Sequence, residues 1–127
     1  MTDYIRQAGA VAMRDGRVCL ITSTTRRRWV IPKGWIDPGH TAGEAAALEA
    51  WEEAGLAGPL SEEPIGSFTY EKGNTLRHVV VFRMDVVEVH DEWPEDHVRT
   101  RQWLLPELAA EQVEEPGLQA ILLAEAG

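Results

Sequence analysis

Glu49, Glu52 and Glu53 sit close together in the stretch 34–56, GWIDPGHTAGEAAALEAWEEAGL. Residues three and four apart are neighbours on a helix, so this spacing gathers three carboxylates on or beside one edge. Each like-charge pair at that spacing costs an isolated helix roughly 0.2–0.5 kcal/mol. The cluster is therefore mildly unfavourable as plain structure and makes better sense as a hard-metal site. Oxygen ligands of this kind suit Mg2+ or Mn2+.

The flanking residues are organised to present the carboxylates. Asp37-Pro38-Gly39 predicts a tight turn, with proline presetting one backbone angle and glycine taking the positive φ of a type II turn. Thr41 and Glu44 form a capping-box pattern, which starts a helix at about residue 42. Ala45, Ala46, Ala47, Leu48 and Ala50 are strong helix formers, and Gly55 fits a left-handed terminator. The stretch thus predicts a glycine-rich loop followed by a helix of about three turns, with its carboxylates in the second half.

Gly34, five residues, an acidic position in the usual pattern, seven residues and a cluster ending Glu52-Glu53-Ala54-Gly55-Leu56 resemble the signature of the Nudix hydrolases. Of the nine specified positions, Gly34, Glu49, Glu52, Glu53, Gly55 and Leu56 match. Three depart from it: His40 stands where the family usually has glutamate, Leu48 where it has arginine, and Ala50 where it has a larger aliphatic residue. The family arginine orients the neighbouring glutamate through an ion pair, which leucine cannot form. Another arginine would have to act through space, and the sequence names none. Arg28-Trp29-Val30-Ile31-Pro32-Lys33-Gly34 and Pro64-Ile65-Gly66-Ser67-Phe68 are similar to the branch acting on diphosphoinositol polyphosphates and dinucleoside polyphosphates.

The resemblance implies an α/β/α sandwich with a mixed central sheet, an α/β (α+β) fold, and cleavage of a diphosphate linked to another group. A diphosphate repels hydroxide, so catalysis must neutralise its oxygens and hold a water in line with the leaving group. Divalent ions bound by Glu49, Glu52 and Glu53 would do both. The resemblance adds a backbone carbonyl at Lys33 or Gly34 to the ligands. Glu52 and Glu53 stand as principal ligands and Glu49 as ligand or base. Dinucleoside or diphosphoinositol polyphosphates lead the substrate classes. A nucleotide sugar, a damaged nucleotide, an RNA 5′ end, or a ligand sensor without activity remain alternatives.

At 127 residues the chain has the length of one domain, 1–127. Hydrophobic residues are 44% and charged residues 26% of it, as in ordinary globular chains. No apolar run approaches the roughly 20 residues that span a bilayer, and MTDYIRQAGA lacks the pattern of a signal peptide. Cys19 is the single cysteine, which excludes an internal disulfide and, within Val18-Cys19-Leu20-Ile21, predicts a buried thiol. A cytoplasmic location is the default expectation, as a monomer or homodimer. The net charge of −9 argues against non-specific nucleic-acid binding. Residues 1–33 carry net +5 and residues 34–127 net −14, a division that suits a metal-bridged anionic small-molecule substrate.

Along the chain, strands are expected at Ala8–Met13 and Val18–Thr22, joined by a hairpin turn at Arg14–Arg17, and then at Trp29–Ile31, Ile65–Tyr70, Leu76–Val87 and Thr100–Leu104. Ala57–Glu63 reads as a connecting loop. Short helices are expected at Pro106–Glu111 and Gly117–Ala126, the latter with Leu118, Ile121 and Leu122 on one face. Arg26, Arg27 and Arg28 fit a phosphate clamp, since guanidinium groups pair with phosphate oxygens, and equally a solvated loop. Lys33, beside Gly34, and Arg77, at a strand entry with His78, are further candidates for substrate. By the resemblance, Glu95 or Asp96 supplies a further carboxylate to the metal site. Trp29, Trp51 and Trp103 are expected in the core, and Trp35 more exposed. The four histidines lack zinc spacing.

Overall fold

The computed structural model describes residues 4–126. Met1, Thr2 and Asp3, where the amino-terminal reading begins, lie outside the described residues, as does Gly127. The first strand, β1 (Tyr4–Arg14), is the spine of the fold. It turns through Asp15 and Gly16, whose φ angles of 52° and 75° are those of a tight hairpin with positive φ at both central positions. β2 (Arg17–Thr22) follows, pairing with β1 only at Met13–Val18 and Arg14–Arg17 before running on to pair β3 (Trp29–Val30).

Pro32, which has no N–H to give a ladder, separates β3 from β4 (Lys33–Trp35), a strand the sequence did not announce. The carbonyl of Pro32 accepts from the Ala10 N–H at 3.0 Å, and β4 pairs antiparallel with β1 at Gln7–Trp35, Ala8–Gly34 and Gly9–Lys33. A loop then leads into α1 (Ala42–Ala54).

Beyond α1, β5 (Leu56–Ala57) pairs with β8 (Glu88–Val89) in a separate two-stranded sheet, so part of the expected 57–63 loop is strand. β6 (Gly66–Lys72) and β7 (Thr75–Asp85) form a hairpin, and β7 lies parallel to β1 from Tyr4–Leu76 to Met13–Asp85. β7 is shorter than expected because Val86 and Val87 donate instead to Met13 and Ala57 carbonyls, both at 2.9 Å. β9 (Arg101–Leu104) pairs antiparallel with β2. The chain closes with α2 (Pro106–Gln112) and α3 (Pro116–Ala124), each with proline in its first turn. The main sheet runs β3-β2-β1-β7-β6, with β4 and β9 attached to β1 and β2.

Side-chain alternation divides the core into two layers. Val11, Met13, Val18, Leu20, Val79 and Val81 pack with Ala109, Leu118, Ile121 and Leu122 of α2 and α3. The intervening residues Ala10, Ala12, Cys19, Ile21 and Met84 pack with Ala50 and Ala54 of α1, while Ala8 and Phe82 join Ala45 and Ala46. The result is the expected helix–sheet–helix arrangement around a mixed sheet. Small residues on both surfaces leave no bulk between α1 and β1, which accounts for fully buried Ala50 where a larger aliphatic side chain would have to displace the helix.

Cys19 is fully buried, and burial pushes its thiol up to about 12, beyond ordinary reactivity. The tryptophans depart from expectation. Trp29 and Trp103 are only partly buried and pack against the core from its margins. Trp51 meets His90 edge-on at 4.8 Å between ring centroids. Among the described residues, no helix is long and apolar enough to cross a membrane.

The start of α1 is secured by both halves of the capping box. Thr41 Oγ1 accepts the Glu44 N–H at 3.0 Å, and Glu44 Oε1 accepts the Thr41 N–H at 2.8 Å. Thr41→Ala removes the first bond and is expected to cost about 1 kcal/mol, read as a lower urea midpoint at unchanged slope.

Candidate active site

α1 is aimed by a turn before it and by a loop beyond it. In the turn, Gly39 has φ 87° and the His40 N–H donates to Asp37 O at 3.1 Å, the geometry of a type II turn. At the other end Gly55 has φ 68° and ψ 33°, with its N–H directed to the Ala50 and Trp51 carbonyls. The remaining terminal carbonyls of α1 find donors in the 90–101 segment. Glu52 O accepts from the Glu95 N–H at 3.1 Å, Glu53 O from Trp93 Nε1 at 3.0 Å and Ala54 O from an Arg101 guanidinium nitrogen at 2.9 Å. The Arg101 guanidinium also lies 4.0 Å above the Trp93 ring.

Glu49 and Glu53 project from this helix into an open cavity of about 470 Å³. β4 forms the adjoining wall, and Gly34 leaves room there: a Cβ at this position would meet the Glu49 carboxylate and displace it. Asp37 also lines the cavity, while Arg28, Lys33, Lys72, Arg77 and Arg99 supply cationic groups to it. Glu52, half-buried on α1, is not among the lining residues.

Burial raises the Glu49 carboxyl to about 8, with the charges of Glu53 and then Glu52 pushing in the same direction. Glu53 is also raised by burial, against the lowering pull of Arg99 and of the Lys33 N–H. That N–H donates to Glu53 Oε1 at 3.1 Å, and Arg99 contacts Glu53 Oε2 at 3.1 Å. Two carboxylates that resist simultaneous ionisation form an oxygen-donor pair of the kind a hard divalent cation relieves. The donor chemistry therefore fits a hard divalent cation, which Glu49 and Glu53 could hold between them. Among the described residues, no three His, Cys, Asp or Glu side chains converge as a preformed ligand group.

The three arginines of the expected clamp separate. Arg28 lines the cavity and is steadied by Glu114 at 3.5 Å and Glu115 at 3.6 Å. Arg26, at φ 61°, donates to the His97 carbonyl at 3.2 Å, and it and exposed Arg27 lie outside the lining. Lys33 reaches over the Tyr70 ring, 5.1 Å from its centroid, and burial lowers its pKa against the pull of Glu53 and Glu115. Arg77 lines the cavity with a buried Nε that has no hydrogen-bond partner. Its neighbour His78 packs instead on Tyr4, 5.5 Å between rings.

Glu95, not Asp96, is tied to the glutamate cluster. Arg99 Nε and a terminal nitrogen each reach Glu95 Oε1 at 3.0 Å, while Asp96 accepts the Trp93 N–H at 3.1 Å. Arg99 was missed by sequence reasoning, although its i,i+4 spacing from Glu95 was a usable signal. Gln7 and Tyr70 were missed too. Gln7 is 4% exposed and its Oε1 accepts the Tyr70 hydroxyl at 2.9 Å across 63 positions of chain, a meeting with no local trace. His40 and Leu48, two of the departures from the family pattern, line a separate cavity of about 220 Å³ that shares Trp35 and Asp37 with the first.

A family model described as the NUDIX domain matches residues 3–123. The chain is 35% identical over 102 residues to Nudix hydrolase 12, mitochondrial, of Arabidopsis thaliana, across 74% of this chain and 50% of that protein. It is 35% identical over 95 residues to human (Homo sapiens) diphosphoinositol polyphosphate phosphohydrolase 3-beta, across 71% of this chain and 56% of the relative. A NUDIX hydrolase structure from Nitrosomonas europaea superposes with a TM-score of 0.75 at 18% identity, covering 97% of this chain and 88% of that one, a likeness of fold. With a helix–sheet–helix fold, the Gly34-to-Leu56 pattern and a family match along nearly its whole length, the chain belongs to the Nudix family. It spans about half the length of the curated relatives it matches.

Two expectations follow from this geometry. The folded state holds the Glu49 proton more tightly than the unfolded chain does, so its stabilising contribution is complete below the ordinary value of 4.5 and is lost as pH rises through about 8. In chelator, the melting temperature of the wild type should therefore fall more steeply over that window than that of Glu49→Gln; parallel curves would refute the assignment. Gly34→Ala obstructs only the far end of a flexible side chain. It is expected to keep the fold by circular dichroism while displacing Glu49 and weakening Mn2+ binding in a direct titration.

Proposed function

We propose that this chain is a metal-dependent diphosphohydrolase that cleaves a phosphoanhydride bond in an anionic small molecule, a dinucleoside polyphosphate or diphosphoinositol polyphosphate first among them. The observation that carries the reading is one cavity with the Glu49–Glu53 pair on one wall and five cationic side chains around it. The 35% identity to a diphosphoinositol polyphosphate phosphohydrolase supports the substrate class. A single 1–127 domain, cytoplasmic and monomeric or homodimeric, belongs to the same proposal.

Arg28, Lys33 and Arg77, which line the cavity, draw the diphosphate into it through their positive charge. Glu53 and the Gly34 backbone, with Glu52 from outside the lining, would hold Mg2+ or Mn2+, which would offset phosphate charge and lower the pKa of water. Glu49 is a further ligand or the group that accepts the proton of the attacking water, a task suited to a carboxyl raised towards neutrality. Gly34 leaves that carboxylate room against the strand.

The test is product-resolved hydrolysis of diadenosine polyphosphates, diphosphoinositol polyphosphates, nucleotide sugars, damaged nucleotides, capped RNA 5′ ends and nucleoside triphosphates, with Mg2+ or Mn2+ and with chelator. Turnover of one polyphosphate class, abolished by chelator, is expected. Glu49→Gln should lower kcat by about 10²–10⁴-fold if it is the base, and Glu52→Gln and Glu53→Gln should lose most turnover while melting normally. Unchanged activity in a variant removes that residue from the site. No turnover of any compound by folded protein would instead favour a sensor.

A further inference from the structure

We propose that Arg99 is a positioning residue for Glu53, supplied to the helix from outside because α1 has no cation of its own. This inference rests on the metal-dependent reading above. The sequence of α1, AGEAAALEAWEEA, contains four glutamates and no lysine or arginine. Leu48, one residue before Glu49, is 43% exposed and lines the other cavity, so it brings no charge to the cluster.

Arg99 is held among protein oxygens. Its side chain is 9% exposed and that of Glu53 is 12% exposed. One terminal nitrogen donates to the Thr22 carbonyl at 2.9 Å, anchoring the guanidinium to β2. The other reaches Glu53 Oε2 at 3.1 Å and Glu95 Oε1 at 3.0 Å, and Nε donates to the same Glu95 oxygen at 3.0 Å. The strand around Thr22 is itself joined to the residue after Arg99: the Thr22 N–H donates to Thr100 O at 3.1 Å and Thr22 Oγ1 accepts the Thr100 N–H at 3.0 Å.

A guanidinium has five N–H groups, and four contacts of Arg99 already go to protein oxygens. It is thereby poorly equipped to take a phosphate. What it does instead is fix a direction. Glu53 Oε1 is set by the Lys33 N–H and Oε2 by Arg99, so the carboxylate is clamped from β4 on one side and from the 90–101 segment on the other. The lone pairs left on the two oxygens then face a defined part of the cavity, as a metal ligand requires.

Arg99→Lys and Arg99→Ala test this by Mn2+ binding in the absence of substrate, read from the electron paramagnetic resonance of the free ion, alongside kcat and KM on whichever substrate the wild type hydrolyses. Lysine keeps the charge and most of the stem but cannot span Glu53, Glu95 and Thr22 at once, and it carries the test should the alanine variant fail to fold. We expect Mn2+ affinity to fall about 10–100-fold and kcat to fall with it at unchanged KM. Wild-type Mn2+ affinity in folded Arg99→Lys overturns the inference, as does a raised KM with kcat and Mn2+ binding intact, the signature of a substrate contact. Failure of the wild-type protein itself to bind Mn2+ or turn over any diphosphate would overturn the functional reading instead.

Discussion

The end of α1 that bears the glutamates is not finished by α1. A helix leaves its last carbonyls without partners, and here the donors for residues 52, 53 and 54 are Glu95, Trp93 and Arg101, all from a segment about forty positions further along the chain. An arginine at this end also suits the negative pole of the helix. The same segment contributes Arg99, so it serves the backbone and the carboxylates of one turn together. The depth and rotation of the glutamates in the cavity depend on that docking.

Charge compensation organises the rest of the site. Four acidic groups, Glu49, Glu52, Glu53 and Glu95, stand near one another in a chain whose net charge is already −9. The fold answers with cations from four separate elements: Lys33 on β4, Arg28 before β3, Arg77 on β7 and Arg99 before β9. Those near Glu53 temper it, while Glu49, buried and with Glu53, Glu52 and Glu95 against it, has its proton held to about 8. Both carboxyls are thus pushed towards their protonated forms, Glu53 against the pull of its cations, a perturbation of the kind found where proton transfer takes place.

What could be read from the sequence was what depends on neighbours in the chain. The type II turn at Pro38-Gly39, the capping box of Thr41 and Glu44 and the left-handed Gly55 are local devices, and α1 falls where they place it. The hairpin at Asp15-Gly16 and the apolar face of α3 are of the same sort. What escaped depends on distant residues. β4 exists because β1 offers an edge to a three-residue stretch with no strand pattern of its own. Arg26, Arg27 and Arg28 looked equivalent as a run, yet only Arg28 reaches the cavity, because Arg26 takes a left-handed backbone and turns to His97. The arginine that reaches the cluster could not be named from residues 34–56, since it lies at position 99 and meets Glu53 rather than Glu49.

The docking of the 90–101 segment also bears on how this sequence can be recombined. Residues 34–56 have the look of a portable cassette, with a start signal, a stop signal and the reactive groups between them. Grafted alone into another scaffold, they would carry Glu49, Glu52 and Glu53 and leave behind the donors that hold the helix end and the guanidinium beside Glu53. A transplant that keeps the geometry must therefore bring the 90–101 segment with the cassette, and with it Thr22 and Lys33, which anchor Arg99 and Glu53.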